Sequence, residues 1–354
     1  MKVFVAMSGG VDSSVAAALL KEQGHDVVGV WMRLGPAPDT GPRCCGTFEA
    51  GEDARRAAAV LGIPFYALNY ENAFGRDVVG RFVASYASGE TPNPCVACNQ
   101  HVKFEALLGD VLAKFGGDAL ATGHYARVVR DPDGTARLLR ARDRKKDQSY
   151  ALYMLGQRQL RRLLLPIGEL EDKAETRRIA ARFGLATATK PDSQDICFIG
   201  GDYRAFARSR VPEAFAPGPL RTGDGVELGT HAGIGAYTVG QREGLGVATG
   251  ERLYVLRIEP AERVVVVGPR AALGATRYRL RDVSLTRHTV PAGSFRTSVA
   301  LRYRGAPSAA EVRIDDEGAE LVLAERAAVA PGQAAVFYDG DEVLGGGVIA
   351  RDAA

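Results

Sequence analysis

Val3-Phe4-Val5-Ala6-Met7-Ser8-Gly9-Gly10-Val11-Asp12-Ser13-Ser14 is the stretch from which the fold can be read. Its apolar run, ending at Met7, reads as a buried strand. Two glycines turn the chain. An amphipathic run follows, with Val15, Ala16, Leu19 and Leu20 on one face and Gly24 at its end. Strand, glycine turn and helix start follow one another. Such a turn aims backbone N–H groups from the positive end of a helix, where a phosphate chain can sit. Gly9 and Gly10 permit close backbone approach, and Ser8, Ser13 and Ser14 add hydroxyl donors. Asp12 is ill suited to a bare phosphate and suits a magnesium ion beside it. The loop lacks the Gly-Lys-Ser/Thr ending of a P-loop and the G-x-G-x-x-G spacing of a dinucleotide fold.

Further apolar runs at Val27–Met32, Phe65–Leu68 and Ala119–Thr122 alternate with helical patterns at Glu52–Leu61, Ala73–Ser88 and Val102–Phe115. This alternation predicts an α/β fold, a doubly wound parallel sheet with ligands at the carboxyl ends of its strands. Met7–Ser14, Met32 and Gly123-His124-Tyr125 fall at such ends. The spacing predicts a hairpin over residues 128–139 and helices over Leu155–Leu165 and Lys173–Phe183. A basic run, Arg140 to Lys146, leads into Asp147-Gln148-Ser149-Tyr150. Pro212, Pro217 and Pro219 read as a linker. Beyond them lie short strands with turn residues between, predicting a small mixed, β-rich central domain and then an antiparallel barrel. The expected boundaries are 1–202, 203–273 and 274–354.

With 354 residues the chain has ample core for such domains. A formal net charge of +3 and a pI near 8.6 point only weakly to nucleic acid. Eight of the 45 basic residues are lysines, and arginine is the better fork for phosphate and guanine contacts. No apolar run approaches the roughly 20 residues of a membrane span and no signal peptide is evident, so a cytoplasmic protein is expected.

Five cysteines in such a chain argue for catalysis or metal binding rather than a disulfide framework. Cys44 and Cys45 are adjacent in a loop and have no assigned role. Thr91-Pro92-Asn93-Pro94-Cys95-Val96-Ala97-Cys98-Asn99 places two thiols three residues apart on a Pro-rich loop, and Cys197 stands far along the chain. A C-x-x-C pair alone is compatible with redox chemistry, zinc or an iron–sulfur cluster.

Ser8–Ser14, Thr91–Asn99, Gly123–Tyr125, Asp147–Tyr150, Asp192–Phe198, Tyr237–Gly246 and Pro331-Gly332-Gln333, taken in order, resemble the bacterial tRNA-specific 2-thiouridylases. The resemblance covers essentially the whole chain. It implies an ATP-pyrophosphatase domain, a central domain and a C-terminal tRNA-binding barrel. The implied enzyme replaces O2 of wobble uridine 34 by sulfur. ATP would bind at Ala6, Met7, Ser8, Gly9, Gly10, Val11, Asp12, Ser13, Met32 and Gly123, with Mg²⁺ at Asp12. Cys98 would be the nucleophile and Cys197 the persulfide carrier. Asn93, Pro94 and Cys95 would border the target base. His124, Asp147, Gln148, Ser149, Arg302, Tyr303 and Gln333 would touch tRNA. The implied partners are the anticodon arm of tRNA and a cysteine desulfurase or sulfur-relay protein.

Many members of that family carry aspartate where this chain has Cys95. The three-cysteine pattern resembles an iron–sulfur-dependent subgroup, so Cys95, Cys98 and Cys197 are expected to hold a [4Fe–4S] cluster, in preference to a persulfide and disulfide scheme. Two alternatives use the same loop differently: an amide-forming adenylating ligase, which needs none of the three cysteines, and a non-catalytic RNA-binding protein. Gly229-Thr230-His231 and Tyr237–Arg242 have no physical role on sequence grounds.

Overall fold

The computed structural model describes residues 1–35, 46–191, 196–247, 250–287 and 293–351. Cys44, Cys45, His288 and residues 192–195 lie outside them. Strand β1 (Lys2–Ala6) is central, with β2 (Asp26–Arg33) and β3 (Phe65–Asn69) on one side and β4 (Ala119–Thr122) on the other. Val3 lies opposite Val27 on β2 and Ala119 on β4, and every pairing in this sheet is parallel. The chain steps outward through β2 and β3, then crosses back to β4. The carboxyl ends of β1 and β4 therefore flank the switch point.

Successive side chains on β1 enter opposite cores. Val3 and Val5 meet helix Val11–Glu22 and helix Phe48–Leu61 through Val15, Ala16, Ala54 and Ala58. Phe4 and Ala6 face a second core holding Phe74, Val78, Val102, Leu107 and Val111. Burial on both faces explains why these strands read as unbroken apolar runs. The second layer consists of two long helical runs, 71–87 and 94–113. Each contains a stretch of wider π-helical turn, at Gly75–Gly80 and at Cys98–Leu107.

Strands β5 (Ala126–Arg130) and β6 (Ala136–Arg140) form the expected hairpin. The helix expected over Leu155–Leu165 is not there. A single turn, Gln157–Leu160, precedes β7 (Leu163–Leu164), which adds to the sheet beside β4. Leu163 and Leu165 enter one core and Leu164 the other, so the leucine run has a period of two. Helix Lys173–Arg182 forms where expected.

The proline stretch expected as a linker is instead the beginning of the central domain. Pro212 opens a tight turn that buries Ala214 and Phe215. Strands β8 (Gly218–Thr222), β9 (Glu227–His231), β10 (Tyr254–Glu259) and β11 (Val264–Gly268) follow as a mixed sheet in the order β10-β11-β8-β9.

Strands β12 (Ala275–Leu285), β13 (Ser294–Ala300), β14 (Ser308–Asp315), β15 (Gly318–Ala327), β16 (Ala334–Asp339) and β17 (Glu342–Ile349) then form a six-stranded antiparallel barrel, closed by pairing of β12 with β17. Alternate residues such as Val312, Leu321, Leu323 and Phe337 fill it. The β5–β6 hairpin reaches across to this barrel. Leu139 pairs with Glu342, and the Arg140 N–H donates to the Asp341 carbonyl at 2.8 Å.

Candidate active site

The loop after β1 is held by close packing. Gly9 has φ +72°, and a Cβ there would stand 2.1 Å from the Ala50 carbonyl oxygen. A Cβ on Gly123, just beyond β4, would stand 2.5 Å from the Ser13 nitrogen. Only glycine allows the two strand ends to approach this closely. The Ser8 N–H donates to Ser13 Oγ at 3.0 Å, and the Ser14 hydroxyl donates to the Gly10 carbonyl at 2.9 Å. The first-turn amides of helix Val11–Glu22 have no intrahelical acceptor, and Gly10 at the cap brings no side chain to meet them. That leaves a row of donors at the positive end of a twelve-residue helix, suited to an anionic oxygen chain.

Two lysines not identified from the sequence stand at this loop. Lys190 Nζ donates to the Gly9 carbonyl at 2.9 Å and to Asp53 Oδ2 at 2.7 Å. Lys173 Nζ donates to both Asp12 oxygens, at 2.6 and 2.8 Å. The Tyr125 hydroxyl also donates to Asp12 Oδ1, at 3.0 Å. A magnesium ion on Asp12 would therefore compete with the Lys173 ammonium. The overlooked signal was scarcity: the chain strongly prefers arginine, yet Lys173 at Asp12, Lys190 at Gly9 and Lys103 near His124 are partly buried.

Met32, at the end of β2, is buried in the core that also holds Ala6, Leu34 and Tyr70. His124 follows Gly123 and is half-buried, with Nδ1 2.7 Å from Thr122 Oγ1. Burial, and then the nearby Lys103 charge, hold its pKa well below the ordinary 6.5, so it is neutral at pH 7.

Asn93 caps the helix that carries the first two cysteines. Its Oδ1 accepts the N–H of Cys95 at 3.1 Å and of Val96 at 3.4 Å, and Pro94 occupies the first turn. Cys95 is exposed and Cys98, one turn on, is buried. Cys98 belongs to the core beneath the 71–87 and 94–113 helices. Cys197 and Phe198 pack against that same core, and the Phe198 ring meets Phe74 at 5.6 Å and Phe82 at 5.3 Å. Cys98 and Cys197 thus share one face of the sheet.

Among the described residues, no trio of His, Cys, Asp or Glu side chains is placed to hold a metal ion. Cys95, Cys98 and Cys197 as positioned do not form such a trio, so the expected [4Fe–4S] ligand set is not shown. All three are thiols, with no disulfide among them.

Several residues expected to touch tRNA are engaged internally. Asp147 Oδ1 accepts the Ala141 N–H at 3.0 Å and the Ser149 N–H at 3.2 Å, and Oδ2 accepts the Ser149 hydroxyl at 2.9 Å. Burial raises the Asp147 pKa, and these bonds oppose the rise. Ser149 is fully buried, and Gln148 Oε1 accepts the Tyr125 N–H at 3.0 Å. Gln333 Nε2 donates to the Thr91 carbonyl at 2.6 Å. Arg302 and Tyr303, by contrast, are exposed on the turn after β13. Within the basic run, Arg142 pairs with Glu169 at 2.8 Å and Glu171 at 3.3 Å, Arg144 pairs with Asp341, and Arg140 lies over the Tyr338 ring at 3.8 Å. Arg140 and Arg144 thus tie the first domain to the barrel, while Arg142 pairs within the first domain.

Three family models match in succession: a tRNA methyl transferase HUP domain over residues 1–201, a tRNA methyl transferase PRC-barrel domain over 204–269, and an aminomethyltransferase β-barrel domain over 276–349. A Chloroflexus aurantiacus protein named tRNA-specific 2-thiouridylase MnmA is 51% identical over 355 residues, spanning 99% of this chain and 98% of that one. The chain belongs to the MnmA family. MnmA proteins of Moorella thermoacetica and Magnetococcus marinus are 47% and 46% identical, each match covering 98% of both chains. The MnmA relatives match almost end to end, so the glycine loop, the cysteine helix and the barrel belong to one family architecture.

Proposed function

We infer that the chain is a tRNA 2-thiouridine synthase, a sulfurtransferase that consumes ATP and acts on the wobble uridine. One observation supports this reading above the others. The glycine loop and Gly123 sit at the sheet's switch point, and Cys98 and Cys197 share the core on one face of that same sheet. MnmA membership supplies the substrate class.

A uracil C2 carbonyl is a weak electrophile with a poor leaving group. ATP solves this when O2 of uridine attacks the α-phosphorus and pyrophosphate leaves. The amides of Gly9 to Ser13 and the Lys190 ammonium stabilise the departing charge. Magnesium, held from Asp12, would supply further charge neutralisation. O2 now belongs to a good leaving group, AMP. A persulfide on Cys197 then attacks C2 through its outer sulfur, and AMP departs with O2. The Cys98 thiolate attacks Cys197 Sγ, breaking the sulfur–sulfur bond. The base keeps the sulfur, and a Cys98–Cys197 disulfide remains for an external dithiol to reduce. A cysteine desulfurase or sulfur-relay protein would load the persulfide.

The uridine must leave its stack for its C2 to meet both ATP and a cysteine sulfur. Exposed Tyr303 and Arg302 suit a stacked base and a phosphate. Mass analysis of wobble nucleosides from cells lacking the gene tests the assignment. Loss of the 2-thio group is expected, and its full retention would overturn the reading.

A further inference from the structure

Residues 88–93 run directly into the Asn93 cap of the cysteine helix, and both other domains hold them. Gly89 (φ +67°) lies against the central domain, where an added Cβ would stand 2.8 Å from Ile258. Glu90 is buried, and its two oxygens accept the forked guanidinium of Arg281 on β12 at 2.9 Å each. The Thr91 N–H donates to the Pro331 carbonyl at 2.8 Å. Gly332 (φ +88°) admits the strap so closely that a Cβ there would meet the Glu90 side chain at 3.0 Å.

The central domain adds the Thr238 hydroxyl, 3.3 Å from that of Thr91. Gln241 fixes Thr238 in turn, accepting its N–H at 3.1 Å, and the main chain of β10 anchors Gly240 and Gln241. Thr238, Gly240 and Gln241 thereby acquire a physical purpose. Pro331-Gly332-Gln333 likewise holds the strap, whatever else Gln333 reaches.

We propose that Arg281 and Thr238 are positioning residues for the catalytic cysteines. They fix the strap at Glu90 and Thr91, and through Asn93 the strap sets where Cys98 stands. The proposal rests on the thiolation reading above and deepens it. A bidentate ion pair between domains with Glu90 buried is a stiff connection, since losing the half-exposed Arg281 leaves the Glu90 carboxylate desolvated and without its charge partner. The four-residue spacing between Glu90 and Pro94 leaves little slack before the helix.

The test uses the full chain with Arg281→Gln, Arg281→Lys and Thr238→Val. The readouts are single-turnover thiolation at saturating tRNA, KM for tRNA, and mass-mapped alkylation of Cys98 by iodoacetamide. Arg281→Gln is expected to slow the saturated rate by about tenfold or more, as small misplacements of a reacting group do. KM for tRNA should stay unchanged and Cys98 alkylation should quicken. Arg281→Lys should recover much of the rate, and Thr238→Val should shift both readouts the same way by less.

A raised KM with an unchanged saturated rate would make Arg281 an RNA contact and overturn the proposal. Wild-type rates and wild-type alkylation throughout would also overturn it. Should Arg281→Gln fail to fold, Thr238→Val decides alone. If the wild-type chain does not thiolate tRNA, the functional reading fails, while the alkylation rates still judge the strap.

Discussion

Alanine at Gly9 and alanine at Gly24 impose the same backbone demand with different consequences. Both glycines have positive φ, +72° and +81°. A Cβ in that region costs about 1–2 kcal/mol. At Gly24 nothing lies within 4 Å of the added carbon, so that cost stands alone. At Gly9 the carbon would stand 2.1 Å from the Ala50 oxygen and 2.9 Å from its Cα. Ordinary separations are about 3.5 Å, so helix Phe48–Leu61 must retreat by roughly an ångström. Retreat is resisted, because Ala50, Gly51, Ala54, Ala57 and Ala58 are all buried on that helix. Overpacking of this kind adds about 1–3 kcal/mol. Gly9→Ala should therefore cost about 2–5 kcal/mol in urea unfolding, against about 1–2 for Gly24→Ala. Displacing the Gly9 carbonyl also disturbs its bond with Lys190. Pyrophosphate release driven by tRNA should fall about tenfold or more in Gly9→Ala, since displaced reacting groups lose at least that, and persist in Gly24→Ala. Equal destabilisation with undiminished pyrophosphate release from Gly9→Ala would refute the reasoning.

Lys190→Met removes a mostly buried cation from the loop. KM for ATP should rise about tenfold, the equivalent of about 1.4 kcal/mol of phosphate attraction, and an unchanged KM would contradict that role. His124 is neutral in the fold, so between its lowered pKa and the ordinary 6.5 the unfolded chain binds more protons. Stability should fall as pH drops below 6.5, and His124→Gln should flatten the slope in pH-dependent unfolding. His231, also lowered by burial, leaves a residual slope. Tyr303→Ala should weaken tRNA binding by about 1–3 kcal/mol, the usual loss of one stacked base, without altering KM for ATP.

The glycine loop and the four main strands were legible because each depends on local pattern; the stretch around Cys95 and Cys98 read as a Pro-rich loop, whereas Asn93 and Pro94 start a helix there. An apolar run ending in glycines specifies strand, turn and helix wherever it sits. Leu155–Leu165 misled because leucine suits both a helix and a buried strand, and only the partner β4 decides. The proline stretch read as a linker because prolines break helices, whereas here Pro212 starts a turn that drives Phe215 into a core. Lys173 and Lys190 lie over 160 residues from the loop they serve, as the Asp12 and Gly9 bonds show, and no local spacing announces such contacts. In the Arg140–Lys146 run the charge is visible in sequence, while the carboxylate partners of Arg142 and Arg144 are not. Cys95 suggested a third cluster ligand by resemblance, and its exposure beside a buried Cys98 was not visible in the sequence.

The most direct measurement combines purified enzyme, ATP, magnesium, unmodified tRNA and a persulfide-loading desulfurase with cysteine. Nucleosides and nucleotides are then quantified together. The account predicts one 2-thiouridine formed for each AMP and pyrophosphate released, and none from Cys98→Ser or Cys197→Ser. Undiminished thiolation by the doubly substituted enzyme would contradict it.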